Sequence, residues 1–223
     1  MLIAIEGIDG SGKGTQAARL RDRLEASGRS VTLLSFPRYD ATRFGKVIGD
    51  FLNGRFGALN EVHPLLASLL YAGDRFESRQ MLEEAIRSQD VVVLDRYVAS
   101  NIAHQGAKLQ GEERAELISW VETVEHEIYG LPKPDLTLLL DLPAATAQQL
   151  IAKKSARTYT EKKADLQEAD GGYLASVREV YRELAVDQTH WQIVPCLRED
   201  SLKTIDEISD EVFAIVEASL RSS

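Results

Sequence analysis

Five short apolar runs, at residues 2–5, 31–34, 91–94, 136–140 and 191–194, recur between longer stretches with helical spacing. Near-continuous apolarity over four or five residues belongs to strands buried on both faces, as in a parallel sheet covered by helices. The intervening stretches supply those helices. Residues 15–26 place Ala17, Leu20 and Leu24 on one face, and 202–220 place Ile205, Ile208, Val212, Ile215 and Val216 at helical spacing. Further helices are expected over 64–86, 112–129 and 173–186. Alternation of strand and helix implies right-handed crossovers and a doubly wound α/β fold.

There is no internal repeat and no Gly/Ser-rich linker, so a single domain over 1–223 is expected. The stretch 130–134, with Gly130, Pro132 and Pro134, is a stiff lead into the fourth strand. Residues 155–172 are polar and poor in hydrophobes, the pattern of a lid over a site, placed at about 153–172. No apolar run approaches the ~20 residues that span a bilayer, and Glu6 and Gly7 interrupt the short apolar start before it can resemble a signal peptide. Cys196 is the single cysteine, so no internal disulfide can form. These features point to a cytoplasmic protein that does not engage membranes. The net charge of −9 argues against nucleic-acid binding, which needs a basic face. Any anion site must therefore gather its cations locally.

One segment does so. Gly7-Ile8-Asp9-Gly10-Ser11-Gly12-Lys13-Gly14-Thr15 follows the first strand and opens the first helix, with Gly7, Gly12 and Lys13 at P-loop spacing. Glycines let the backbone curl so that successive N–H groups face a polyphosphate, and the helix N-terminus adds its dipole. Lys13 then reaches the β- and γ-phosphates of ATP. Gly14 stands where a Ser or Thr usually helps hold Mg²⁺. Thr15, or carboxylates with water, are the remaining ways to hold the ion.

Asp95 ends the third strand, at the sheet edge where open α/β folds bind ligands, and an acid there can hold Mg²⁺ directly or through water. Asp141 ends the fourth in the same manner; Arg96 and Tyr97 beside Asp95 suit a phosphate site better, and Asp141 reads as a helix cap. Phe36, Arg38 and Tyr39 end the second strand, with Arg38 able to fork onto an acceptor phosphate. Asp74-Arg75 taken alone reads as a solvated helix face. Lys153, Lys154, Arg157, Lys162 and Lys163 make the lid basic. Phosphoryl transfer is catalysed chiefly by positioning and by cations around the migrating group, and a closing lid serves both.

Together these segments resemble the thymidylate kinases over nearly the whole chain. The resemblance rests on residues 6–15, Phe36-Pro37-Arg38-Tyr39, Tyr71 four residues before Arg75, Asp95-Arg96-Tyr97-Val98-Ala99-Ser100-Asn101, Gln105-Gly106, Leu131-Pro132-Lys133-Pro134-Asp135 and the basic lid. It implies a three-layer P-loop NTPase fold with a five-stranded parallel sheet in the order 2-3-1-4-5. It also implies transfer of a phosphoryl group from MgATP to dTMP, and a homodimer packing the helices at 64–86 and 112–129. By resemblance, Asp9 would contact the deoxyribose 3′-hydroxyl and the metal region, and Arg38 would bind the dTMP phosphate with Arg96 nearby. Tyr71 would stack on thymine, Arg75 would hydrogen-bond the base, and Ser100 and Asn101 would help read it. Tyr97 would crowd the 2′ carbon. Some members carry a catalytic arginine at the position of Gly10; here the lid would supply it, as Arg157 supported by Lys153 and Lys154, with Asp165 closing the lid onto the loop.

Two other readings are compatible with parts of this pattern. A deoxynucleoside kinase needs a carboxylate base, for which Glu6 is placed at a strand end, although Arg38 and Arg96 favour a phosphorylated acceptor. A nucleotide-binding protein without transfer chemistry would accommodate the missing hydroxyl at Gly14.

Overall fold

The structure is a computed structural model that describes residues 1–59, 61–152, 171–186 and 188–222. Five strands, β1 (Leu2–Glu6), β2 (Val31–Ser35), β3 (Val91–Asp95), β4 (Leu136–Asp141) and β5 (Trp191–Pro195), form one parallel sheet in the order β2-β3-β1-β4-β5. Each lies within one residue of its expected bounds. The two-residue period divides β1 and β3 between faces. Ile3, Ile5, Val91 and Val93 enter one core, whereas Leu2, Ala4, Val92 and Leu94 enter the other.

The first core is covered by α1 (Lys13–Ala26), α8 (Gly171–Ala185) and α9 (Ile205–Ser222), through residues such as Leu20, Val177 and Val212. The second is covered by α4 (Arg79–Ser88), α5 (Val98–Gly106) and α6 (Gly111–Glu122), through Leu82, Ile102 and Leu117. Full burial of each such side chain stabilises the fold by roughly 1.5–3 kcal/mol. A third cluster joins α2 (Arg43–Leu52) to α3 (Pro64–Glu77) through Ile48, Phe51 and Tyr71. Residues Ala144–Ala152 form α7, and a short antiparallel pair, β6 (Leu197–Arg198) and β7 (Ser201–Leu202), precedes α9.

Several expectations need correction. The helix expected over 64–86 is broken at Ser78, whose hydroxyl donates to the Asp74 carbonyl at 3.0 Å. Such back-bonding to the preceding turn bends helices. The helix expected over 112–129 leaves α geometry after Glu122 and continues as a π-helical turn over Thr123–Ile128. Leu202 belongs to β7 and not to the last helix. α2, α5 and α7 lie outside the helices expected from the sequence. Thr42 caps α2 by accepting from the Gly45 N–H at 2.7 Å.

The chain crosses to one side of β1 for β2 and β3, then to the other for β4 and β5. The crevice outside the carboxyl ends of β1 and β3 is the switch point at which such sheets bind ligands.

Candidate active site

Residues 7–12 link β1 to α1 at that crevice. Gly10 has φ +87°, and a Cβ there would lie 2.7 Å from the Ala147 carbonyl oxygen. A side chain is excluded at this position by both backbone and space. Lys13 is buried on the first turn of α1, and its Nζ donates to the Ile8 carbonyl at 2.8 Å. Burial, and after it the neighbouring Arg96, lowers this ammonium to about 7. Ser11 Oγ is buried without a hydrogen-bond partner among the described residues. A cation and an orphaned hydroxyl thus sit on a curled backbone that opens a helix, which is a receptor for an anion.

Arg96 follows β3 in the left-handed region, with φ +69°. Its N–H donates to the Ile5 carbonyl at 3.1 Å. Its Nη2 donates to Asp9 Oδ1, tying the end of β3 to the loop. Nη1 donates to Ser100 Oγ at 3.2 Å and lies 3.3 Å from His104 Nε2. Tyr173 OH donates to the His104 carbonyl at 2.8 Å and lies 3.1 Å from His104 Nδ1. The hydroxyl proton is thereby spent, so Nδ1 donates to the tyrosine oxygen and Nε2 accepts from Arg96. Burial, and secondly Arg96, lowers the His104 imidazole to about 3, so it is neutral.

The Glu6 carboxylate is fully buried. It accepts from the Tyr97 and Ser100 N–H groups at 2.7 and 3.3 Å, from Ser100 Oγ at 2.6 Å and from Tyr181 OH at 2.9 Å. Four donors commit it to capping α5 and to linking α8, which weighs against a role as general base.

Arg38, half-buried after β2, donates through its backbone to Asp74 Oδ2 at 3.0 Å and through Nη1 to Ser78 Oγ at 3.2 Å. Asp74 also accepts from Thr42 Oγ1. The Asp74-Arg75 pair is no solvated face, for the two residues are 0% and 2% exposed. Arg75 Nε and Nη2 donate to Glu125 Oε2 and Oε1 at 2.5 and 2.6 Å. Asn101 Nδ2 donates to the Ser68 carbonyl at 3.0 Å and to Glu125 Oε1 at 2.8 Å. Phe36 and Tyr71 are buried nearby in their respective cores, and Tyr39 packs against the cluster of α2 and α3.

Other candidates have different surroundings. Tyr97 lies within the core, its ring 6.1 Å from that of Phe36 and its hydroxyl donating to the Pro132 carbonyl at 3.0 Å. The expectation that its side chain crowds a sugar is replaced by a scaffold role. Ser100 likewise spends its hydroxyl on Glu6, where the expectation had it reading a base. Asp141 is no helix cap, since it receives a forked pair of hydrogen bonds from Arg178 at 2.6 and 2.9 Å. Lys153, Lys154, Arg157 and Asp165 lie outside the described residues.

For a metal, the described residues contain no group of three or more His, Cys, Asp or Glu side chains. Asp95, partly exposed at the end of β3, stands beside α1, where a Cβ on Gly14 would be 3.0 Å from its Oδ2. Mg²⁺ is commonly held by one or two carboxylates with phosphates and water, so this donor set fits it. Thr15 is exposed on the first turn of α1.

His104, Tyr173 and Glu125 are not among the site residues expected from the sequence. A signal existed for Glu125, because Leu117, Val121 and Val124 mark the buried face of its helix and an acid interrupts it.

The thymidylate kinase family matches residues 5–208. Thymidylate kinase of Mycobacterium tuberculosis (strain ATCC 25618 / H37Rv) is 38% identical over 191 residues, covering 83% of this chain and 86% of that protein. The human thymidylate kinase is 29% identical over 223 residues, covering 100% and 92%. A solved thymidylate kinase structure from Candida albicans superposes with a TM-score of 0.74 at 28% identity, covering 97% of this chain and 91% of that one.

Proposed function

The chain belongs to the thymidylate kinase family, and from that premise we propose how its residues carry out the transfer of a phosphoryl group from ATP to dTMP. The activity is that of a phosphotransferase producing dTDP, with ATP as co-substrate. The observation that carries the assignment of roles is Arg96, which a left-handed backbone and the Asp9 carboxylate hold at the mouth of the phosphate loop.

The loop backbone and Lys13 bind the ATP phosphates. Arg38 and Arg96 bind the phosphate of dTMP, whose oxygen attacks the γ-phosphorus. That oxygen is already ionised near neutral pH, so no general base is required, consistent with the full commitment of Glu6. Charge on the migrating group is offset by Lys13, Arg96 and lid cations led by Arg157. The absence of room at Gly10 supports supply from the lid. Mg²⁺, when bound, offsets charge on the β- and γ-phosphate oxygens; Asp95 would hold it, with Asp9 at the margin. Asp9 also faces the sugar. Tyr71, Arg75 and Asn101 face the base.

The whole chain acts as one domain with a lid that ends where α8 begins at Gly171, two residues short of the expected 153–172. Exposed Leu66 and Phe76 on α3, Trp120 on α6 and Ile128 in the π-helical turn support a homodimer through this side. No helix of the described residues is long and apolar enough to cross a membrane, in keeping with a cytoplasmic enzyme. A coupled ADP-release assay with MgATP and dTMP, dUMP, CMP, AMP or thymidine tests the substrate. Strong preference for dTMP is expected, and comparable rates on CMP, AMP or thymidine would overturn it.

A further inference from the structure

Glu125 has no part in the transfer chemistry above, yet it is 0% exposed on the buried stripe of its helix. It lies in the π-helical turn, a conformation concentrated at functional sites. Its Oε1 is shared by Arg75 Nη2 and Asn101 Nδ2. A carboxylate only accepts, so both neighbours must present donors to it. For Asn101 this settles which way the amide faces. Both hydrogens of Nδ2 are taken, by Glu125 and the Ser68 carbonyl, and Oδ1 is left buried with no partner among the described residues. For Arg75 the same carboxylate holds the Nε and Nη2 edge, so the guanidinium has its remaining donors directed elsewhere.

The pair is thus arranged as one donor and one unsatisfied acceptor. That is the complement of a pyrimidine imide edge, in which a C4 carbonyl accepts and the adjacent N3–H donates. Cytosine reverses both, with an amino donor at C4 and an acceptor at N3. We propose that Glu125 is the positioning residue that sets base selectivity, by holding Arg75 as donor and Asn101 as acceptor toward an imide-bearing pyrimidine. This rests on Arg75 and Asn101 facing the acceptor base.

The test is the ratio of kcat/KM for dTMP over dCMP, measured with MgATP in the full chain. Wild-type protein should strongly favour dTMP; failure to use dTMP would sink the substrate assignment itself and not this proposal. In Glu125→Gln a side-chain amide faces the Arg75 and Asn101 donors, so the clamp on Arg75 is weakened and the hold on the Asn101 amide falls to the Ser68 carbonyl alone. The ratio should fall at least about tenfold, because a mispaired polar group in a buried site discriminates strongly. The loss should appear mainly in the KM for dTMP.

Glu125→Asp keeps an acceptor-only carboxylate on a shorter stem, so its ratio should fall less than that of Glu125→Gln. A folded Glu125→Gln protein that loses activity on dTMP and dCMP in parallel overturns the proposal, since that is what a purely structural role predicts. So does a Glu125→Asp ratio lower than that of Glu125→Gln. Should Glu125→Gln not fold, Glu125→Asp decides alone: a lower ratio than wild type supports the proposal, and an unchanged ratio overturns it.

Discussion

Lys13 Nζ turns back across its own loop to donate to the Ile8 carbonyl at 2.8 Å. The cation proposed to bind the ATP phosphates is thus held by backbone, and on that proposal ATP binding exchanges the carbonyl for phosphate oxygens. Lys13→Ala should lower kcat by more than about 10³-fold, given the weight of charge stabilisation in phosphoryl transfer. The fold should persist, since a buried ammonium costs stability that alanine does not. A coupled assay together with thermal unfolding checks both parts, and near-normal activity would end the assignment.

The same ammonium makes a pH prediction. Its folded value, about 7, lies below its ordinary value of 10.5 because burial disfavours the charge. Between those values the unfolded chain holds more protons than the folded one, so the group's penalty on stability is full below pH 7 and relieved as pH rises to 10.5. The stability difference between Lys13→Met and wild type should shrink across that window. ATP affinity should weaken as pH rises through about 7, where the free enzyme loses the proton. A flat profile of ATP binding from pH 6 to 9 would refute the second part.

His104 gives the opposite limb. Its folded value of about 3 lies below the ordinary 6.5 through burial, so the unfolded chain gains a proton first as pH falls. Stability should decline from this group between pH 6.5 and 3. Unfolding titrations of wild type and His104→Gln should converge at the acid end of that window.

Arg96 separates backbone from side chain. Its φ of +69° disfavours any residue with a Cβ by about 1–2 kcal/mol relative to glycine. Arg96→Gly and Arg96→Ala both lose the guanidinium and its ion pair with Asp9, and both should lose at least about 10²-fold in kcat/KM for dTMP. The glycine variant should be more stable than the alanine variant by about 1 kcal/mol. Denaturant unfolding measures this; equal stability would show that the backbone is not strained there.

Arg157 is the arginine assigned to the lid. Arg157→Ala should lower kcat by ~10³-fold in single-turnover measurements, as for an arginine supplied to a transferring phosphoryl group. A loss below tenfold would move the role to Lys153 or Lys154.

The phosphate loop, the five strands and the order of the motifs were legible in the chain because each depends on neighbours within a few residues. An apolar run of four residues such as Val91 to Leu94 declares a strand, and in β3 all four are buried, whereas the edge strands β2 and β5 are covered only in part. Gly7, Gly12 and Lys13 likewise carry their meaning in their spacing and in the strand just before them. α2 was harder to see, because its cap at Thr42 and the close approach at Gly45 depend on the Arg38 carbonyl and on Asp74 from another helix.

What the sequence by itself determined is therefore the sheet, the loop and the class of chemistry. Only the tertiary structure decided the partners of the charged groups. Glu6 meets Tyr181 across 175 positions, Arg75 meets Glu125 across 50, and Asp9 meets Arg96 across 87. Local patterning reflects the backbone geometry of one segment. The pairing of buried charges depends on which distant segments the sheet brings together, and there a lone acid or arginine in the sequence has many possible partners and the folded chain admits few.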